Sequence, residues 1–450
     1  MKRNLVIWFL LYAACPSTAQ PPAAVQLPPR GSAYTDPASR NRVWRVTDSG
    51  LCPGGGRHTY SYWPVWNKDG SHLLVECMGW KGGREQSTPL LVRDRDLQVL
   101  GDALRGAPGG IYPGRLFWAW NDSQTFFADR GIELWRWNPF QRTGKLLHSF
   151  AGQKVGQARV RHARLAYVSF DDRYLLAELQ GENPRKQNPS EWDVIGLATV
   201  DLQSGKIAGI LDVSGFVFFD EAVITRDHHV WVVAHVGRKH TESLRYPPDF
   251  SRHIRVMEAG HHAHGRLANG TPVAVKEAGN RDCPAGTASG NPRDAEYPER
   301  GWKPTAVLVD ETVDTTGGDR GTPLPNELLK LGCSVPGQHH FAHFSWNHPS
   351  GDFLFLSTDS YGDYATDRLA HGIFRVRLVL DGTGKVQRDE FDLLAHHRSD
   401  TKVGYWAQPR ASCNQQGTRC LFASTMSVAT DNARRQPHLY IVEVPPLPGR

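Results

Sequence analysis

The sequence has little of what a helical or membrane-spanning protein requires. Across its 450 residues no long segment repeats apolar residues with helical periodicity, and the nearest thing to a helical turn is ELLKL at Glu327–Leu331. Beyond the N-terminus no apolar run is long enough to cross a bilayer. We therefore expect neither a helical bundle nor a membrane span.

Several functional motifs are also missing. There is no CxxC spacing, which argues against a thiolate metal site, and no GxSxG elbow, which argues against a serine hydrolase. The formal charge of +6 is mild. No basic stripe is visible, so nucleic-acid binding is not indicated.

The N-terminus predicts export. Lys2 and Arg3 precede a short apolar run at residues 5–14 and then a group of small residues. This pattern is typical of a signal peptide, here residues 1–19, followed by a linker at 20–39 and one domain at 40–450. Cys15 offers a second interpretation, a lipid anchor. Either way the mature protein is expected to be secreted or periplasmic.

Export changes how the cysteines are interpreted. Seven are present, and removing Cys15 leaves an even number. In an oxidising compartment an even count favours disulfides. Spacing suggests three pairs, while leaving other pairings open: Cys52–Cys77, Cys283–Cys333 and Cys413–Cys420.

What the sequence does contain is a repeat. A short strand, a turn with Asp, Asn or Gly, and a strongly apolar second strand recur seven times, beginning at Tyr62, Leu116, Arg164, Asp220, His261, His340 and Tyr405. Such units are typical of a β-propeller. The sequence predicts an all-β fold, a seven-bladed β-propeller closed by an N-terminal strand at residues 41–48. An insertion at residues 280–305 is expected within the fifth blade.

Residues just before the inner strands of a propeller converge on its central channel. Polar side chains at these positions that suit proton transfer and anion binding are His58, Tyr60, Arg115, His162, Tyr405 and Arg410. Histidine and tyrosine transfer protons, and arginine binds carboxylates through two hydrogen bonds. The carboxylate pair of a glycosidase is not apparent among them. The alternative interpretation is that the histidines are ordinary exposed loop residues.

Four segments resemble the oligogalacturonate lyases and, more distantly, the ulvan lyases. They are SYWPVWNKDG, GHHAHGRLANG, QHHFAHFSWNHPSGDFLF and YWAQPRASCNQQGTRCLFAS. The resemblance implies a divalent cation, usually manganese, held by three histidines and a glutamine. Carried over by position, the metal ligands would be His262 (or His261), Gln338, His340 and His343.

The same resemblance implies β-elimination on an acidic oligosaccharide that contains uronic acid. The competing hypothesis is a non-catalytic, TolB-like propeller that binds a protein or glycan partner. Fold alone does not decide between the two.

Overall fold

The computed structural model describes residues 25–81, 84–111, 115–236, 241–258, 260–279, 304–316, 325–331, 341–358, 369–400, 407–426 and 436–447. These ranges form β-strands and contain no α-helix. No helix in these ranges could span a membrane. The strands form seven antiparallel sheets in a ring and one additional hairpin. The prediction of an all-β, seven-bladed propeller is confirmed.

The first half of the chain forms blades 1 to 3. Two strands come first, β1 (Ala33–Thr35) and β2 (Arg42–Arg45). Blade 1 contains β3 (Gly56–Arg57), β4 (His72–Lys81), β5 (Arg84–Arg93) and β6 (Gln98–Asp102). Blade 2 contains β7 (Phe117–Trp118), β8 (Phe126–Arg130), β9 (Glu133–Asn138) and β10 (Thr143–Ser149). The hairpin of β11 (Lys154–Val155) and β12 (Ala158–Arg159) precedes blade 3. Blade 3 contains β13 (His162–Val168), β14 (Tyr174–Gln180), β15 (Val194–Asp201) and β16 (Lys206–Asp212).

The second half forms blades 4 to 7. Blade 4 contains β17 (Phe218–Ile224), β18 (Val230–His235), β19 (Glu242–Tyr246) and β20 (Ile254–Glu258). Blade 5 contains β21 (His262–Arg266), β22 (Pro272–Gly279), β23 (Pro304–Asp310) and β24 (Glu327–Leu331). Blade 6 contains β25 (Phe341–Ser345), β26 (Phe353–Thr358), β27 (Gly372–Leu380) and β28 (Val386–His396). Blade 7 contains β29 (Ser412–Cys413), β30 (Arg419–Ser424) and β31 (His438–Glu443).

The N-terminal strand closes the ring. β2 pairs antiparallel with β31, with Trp44 opposite Ile441, and β1 adds a fifth strand outside β2. Closure by the N-terminal strand is therefore confirmed, and β1 lies within the segment expected to be a linker. Joining the two chain ends in one sheet pairs backbone groups that would otherwise form open edges.

The segment that comes closest to helical periodicity forms a strand. Glu327–Leu331, the segment closest to a helical turn by sequence, is the outer strand β24 of blade 5 and pairs with β23. Pairing with a neighbouring strand satisfies its backbone groups, and this outweighs the weak helical preference of a five-residue segment. The expected insertion falls between β22 and β23 of the same blade, and its interior lies outside the described residues.

Two of the expected disulfides are confirmed. Cys413 and Cys420 lie opposite each other in the β29–β30 hairpin, and Cys52 bonds to Cys77 within β4. The third expected pair, Cys283–Cys333, lies outside the described residues.

The topology gives the ring two different ends. Because neighbouring strands are antiparallel, the first strand of each blade begins at the same end at which the second strand ends and the third begins. We call this the mouth end. The turns that join first to second strands, and third to fourth, lie at the opposite end. The β14–β15 loop is therefore at the mouth end, as are the end of β22 and the start of β23.

Buried side chains from several blades fill the opposite end, which we call the closed end. The Arg226 guanidinium donates to the carbonyls of Trp346 and His348, at 2.5 and 2.8 Å, and lies 3.4 Å from the centre of the Phe170 ring. Asn347 Nδ2 donates to the carbonyl of Trp63 in blade 1, at 3.2 Å, and to Ser412 and Cys413 in blade 7. These contacts link turns from five blades.

Candidate functional site

The mouth end opens into a cavity of about 580 Å³ on the propeller axis. Inner-strand residues of six blades line it, together with two second-strand glutamates. The lining residues are Arg57, His58, Thr59, Tyr60, Tyr62, Trp63, Glu76, Arg115, Arg164, Ala166, Glu178, Asp220, Glu221, Ala222, His261 and Arg410. A cavity of this size accommodates a small oligosaccharide or a similar ligand.

Arginine–glutamate pairs form the wall from blade 1 to blade 3. Arg57 Nε lies 2.9 Å from Glu76, directly across the β3–β4 pair. Glu178 faces two guanidiniums, Arg115 at 3.4 Å and Arg164 at 3.6 Å. Both guanidiniums also interact with the buried carboxyl of Asp129, and the Arg164 side chain is 37% exposed towards solvent. An accessible guanidinium can bind an anionic group of a ligand through two hydrogen bonds.

Aromatic and imidazole rings form the opposite wall. The His261 and His343 rings stack with centroids 4.5 Å apart, and Tyr60 meets His343 edge-on at 5.2 Å. The Arg410 guanidinium lies 5.5 Å from the centre of the Tyr60 ring and donates to Gln408. Blades 1, 5, 6 and 7 thus place rings and a cation at one point of the mouth.

His58 is a buried imidazole in the cavity wall. Burial, reinforced by the charge of Arg410, lowers the pKa of His58 to about 4. Its Nδ1 has no hydrogen-bond partner within the described structure. At neutral pH His58 is therefore uncharged and can accept a proton.

Glu221 is the acidic counterpart on blade 4. The Tyr62 hydroxyl donates to Glu221 Oε2, and His262 Nδ1 lies 3.6 Å from Oε1. Burial raises the pKa of Glu221 to about 7, and the neighbouring Asp220 contributes to this rise. A carboxyl group that titrates near neutral pH can act as a proton donor or acceptor.

The local backbone explains why two consecutive carboxylates reach the cavity. Successive side chains of a strand normally point to opposite faces. In β17 the register shifts between Phe219 and Glu221, so Asp220 is the extra residue of a β-bulge. No carboxylate pair is apparent among the candidate residues of the sequence, and the bulge brings one, Asp220 and Glu221, into the cavity.

The structure brings most of the described candidates together. His58, Tyr60, Arg115 and Arg410 all line the cavity. His162 is not among the lining residues: its ring stacks on Trp192, with centroids 3.8 Å apart, further towards the mouth. Tyr405, Gln338 and His340 lie outside the described residues.

The expected metal ligands are only partly described. His262 is buried beneath the cavity, where its ring stacks on Tyr62 at 5.5 Å and its Nδ1 lies 3.2 Å from the carbonyl of Gly260. Of the two adjacent histidines of blade 5, it is His261 that lines the cavity, and its ring stacks on that of His343. Within the described residues, no three His, Cys, Asp or Glu side chains form a metal-binding group.

Sequence reasoning missed Glu76 and Glu178, although the repeat contains a signal for both. Each follows three apolar residues in the second strand of its unit, in LLVEC and LLAEL. A charged residue at an equivalent position of two buried strands indicates a shared partner, here the inner-strand arginines opposite, Arg57 and Arg164. The sequence signal for Glu221 was weaker, because Glu221 is only the second residue of an acidic pair that precedes the apolar part of its strand.

These features define a seven-bladed β-propeller with a charged axial cavity at one end. No protein-family model and no curated protein matches the sequence. Among solved structures, the chain is similar to an oligogalacturonate lyase from Vibrio parahaemolyticus, with a TM-score of 0.54 and 13% identity over 92% of this chain and 96% of that one. It is less similar to the β-propeller domain of the Trilobed protease from Pyrococcus furiosus, with a TM-score of 0.44 and 9% identity over 86% and 94%. At these identities the likeness shows the fold alone.

Proposed function

We propose that this protein is a lyase-like enzyme that cleaves uronic-acid-containing oligosaccharides by β-elimination in the axial cavity. The observation that carries the proposal is the composition of the cavity wall, in which two guanidiniums, those of Arg115 and Arg164, face the same space as an uncharged imidazole and a protonatable carboxyl. The fold shared with an oligogalacturonate lyase is consistent with this chemistry.

The reaction needs one anion-binding group, one base and one acid. Arg164, with Arg115 behind it, would bind the uronate carboxylate and stabilise the negative charge that develops on it. The imidazole of His58 or that of His261 would take the proton from the carbon next to the carboxylate. The bond from the adjacent carbon to the glycosidic oxygen then breaks as a carbon–carbon double bond forms.

Glu221 would complete the reaction. In its protonated form it can give its proton to the departing glycosidic oxygen, so that one proton enters the enzyme and one leaves. The Tyr62 hydroxyl, which donates to Glu221 Oε2, orients the carboxyl group. No water is consumed, which distinguishes this reaction from glycoside hydrolysis.

A divalent cation, with manganese the first choice, belongs to the same proposal. Imidazole nitrogens and an amide oxygen suit such an ion, and the ligands would be His343, Gln338 and His340 with one histidine of blade 5. When bound, the ion would neutralise charge on the substrate. Elemental analysis of purified protein tests this, with His343→Gln expected to lose the metal and His72→Ala, on the outside of the site, expected to keep it.

We also propose that the protein is exported from the cytoplasm. Two disulfides, Cys52–Cys77 and Cys413–Cys420, fit an oxidising environment and hence a secreted or periplasmic protein. A lipid anchor at Cys15 remains the alternative form of export. Mass spectrometry of the mature N-terminus separates the two.

The deciding experiment is a screen of uronate oligosaccharides with the purified full-length protein. A lyase generates the ultraviolet absorbance of an unsaturated uronide, and Arg164→Ala should abolish most of it. New reducing ends without this absorbance would mean hydrolysis. Binding without any cleavage would overturn the enzymatic proposal in favour of a non-catalytic binding propeller.

A further inference from the structure

We propose that Trp192, with His162 behind it, is a second sugar-binding subsite at the mouth of the cavity. The exposed indole face would stack on the apolar C–H face of a pyranose ring whose charged neighbour occupies the cavity. This inference rests on the proposed function, because it extends the same glycan beyond the cavity.

The position of Trp192 follows from the strand register. Along β13, Arg164 and Ala166 line the cavity, and His162 lies two residues nearer the mouth. At a rise of about 3.3 Å per residue, His162 is roughly 7 Å further out than Arg164. Trp192 stacks on His162, with ring centroids 3.8 Å apart and planes 13° from parallel. The indole is therefore about one sugar ring from the anion-binding wall.

The indole is both exposed and held in place. Trp192 is 57% exposed although His162 covers one of its faces. Its loop is fixed by Asp193, whose carboxylate accepts from Lys186 at 2.6 Å and from the backbone of Ser190 at 2.9 Å. A pre-positioned aromatic ring loses little conformational entropy when it binds a ligand.

Two further exposed apolar side chains lie where blade 4 begins, at the mouth end. Of the large hydrophobic residues in the described part of the chain, the three most exposed are Trp192, Val217 at 67% and Phe218 at 53%. Asn183 of the Trp192 loop donates to the carbonyl of Ser214, at 3.0 Å, which ties the loop to the connection leading into blade 4. Single exposed apolar residues need no explanation, but three on neighbouring blades at one cavity mouth indicate a binding surface.

The chemistry of the surface favours a sugar. The face of an indole carries partial negative charge and attracts polarised C–H groups. The hydroxyl groups of a pyranose remain in water while its C–H face covers the ring. The cavity and the indole together would then bind at least two consecutive sugars. The cavity would bind one through its carboxylate, and the indole would bind the other through its ring.

The test is binding and cleavage of galacturonate oligomers of increasing length. Trp192→Ala should leave the Kd and KM of the shortest bound oligomer unchanged and weaken longer ones by about tenfold. Trp192→Phe should recover part of the loss, and kcat should not change. Leu146→Ala, at an apolar residue that is 43% exposed on the outer strand β10, is the matched control. Thermal unfolding of each variant checks that the fold is intact.

The outcomes separate this inference from the function on which it rests. If Arg164→Ala abolishes binding but Trp192→Ala binds every length like wild type, the subsite is wrong and the proposed function stands. If wild type neither binds nor cleaves any uronate, the proposed function is wrong. In that case the subsite is tested on a gel of neutral polysaccharide. The subsite is supported only if the gel retains wild type but not Trp192→Ala, and it is overturned if the gel retains neither protein.

Discussion

The two ends of the propeller use the same kind of residue for opposite purposes. At the closed end, Arg226 is held by the carbonyls of Trp346 and His348 and by the Phe170 ring. At the mouth end, Arg115 and Arg164 share the single carboxylate of Glu178 and face a cavity.

The difference shows what makes an arginine structural or available for binding. Neutral carbonyls and aromatic faces surround Arg226 and leave it little space for a ligand, so its hydrogen bonds hold the turns together. The mouth arginines line an open cavity instead, and the Arg164 side chain is 37% exposed. We therefore expect substitutions at the two ends to affect different measurements, activity at the mouth and stability at the closed end.

The largest effect should come from Glu221→Gln. The amide preserves the shape and can still accept from Tyr62, but it cannot donate a proton to a leaving group. If the cavity is catalytic, the rate should fall by roughly 10²–10⁴. The thermal midpoint should not fall, because the amide also removes the cost of ionising a buried carboxyl. Steady-state kinetics and thermal unfolding measure the two quantities. Full activity in the variant would remove Glu221 from the proposed mechanism.

Arg226→Met should produce the reverse pattern. The apolar chain fills part of the space but leaves the carbonyls of Trp346 and His348 without their donor, at a cost of about 2–4 kcal/mol in the free energy of unfolding. Denaturant unfolding measures this loss, and ligand affinity at the mouth should be unchanged. A variant with normal stability would contradict the structural role given to the closed end.

The two disulfides can be compared directly, because one lies at the mouth end of the propeller and the other at the closed end. By loop length, removing Cys52–Cys77, which closes 25 residues, should cost about 3.5 kcal/mol, and removing Cys413–Cys420, which closes 7, about 2.4 kcal/mol. Only the first should also lower activity, because Cys77 follows Glu76 of the cavity wall. Double Cys→Ser variants test both statements, and equal activity in the two would contradict the second.

The last expected effect is the pH dependence of stability that His58 and Glu221 contribute. With the pKa of His58 lowered to about 4, the unfolded chain gains a proton first as pH falls below about 6.5, so stability is lost between pH 6.5 and 4. With the pKa of Glu221 raised to about 7, the folded chain keeps a proton that the unfolded chain releases, so stability is lost as pH rises from about 4.5 to 7. Each contributes at most about 1.4 kcal/mol per pH unit.

Variants separate these opposing contributions. His58→Asn should lose less stability than wild type between pH 6.5 and 5, and Glu221→Gln should lose less between pH 5 and 7. Denaturant unfolding across this range measures both slopes. Parallel curves for wild type and both variants would mean that neither group changes its pKa on folding.

The sequence alone was enough to predict the fold, because a propeller is built from local repeats. Alternating strands, turn residues and apolar second strands identify each blade within about twenty residues, and the apolar strands at the two chain ends indicate how the ring closes. The convergence of His58, Tyr60, Arg115 and Arg410 also followed, since the positions before inner strands meet at the axis in any propeller.

Only the tertiary structure decided which side chains reach the cavity. A one-residue bulge turns Glu221 inward, and the register of β21 places His261 in the wall and His262 beneath it. A bulge cannot be recognised from the sequence alone. Its single extra residue nevertheless reverses the face of the sheet to which every following side chain points. The division into an open mouth and a filled closed end was equally hidden, because it depends on turns from five blades that touch only when the ring is complete.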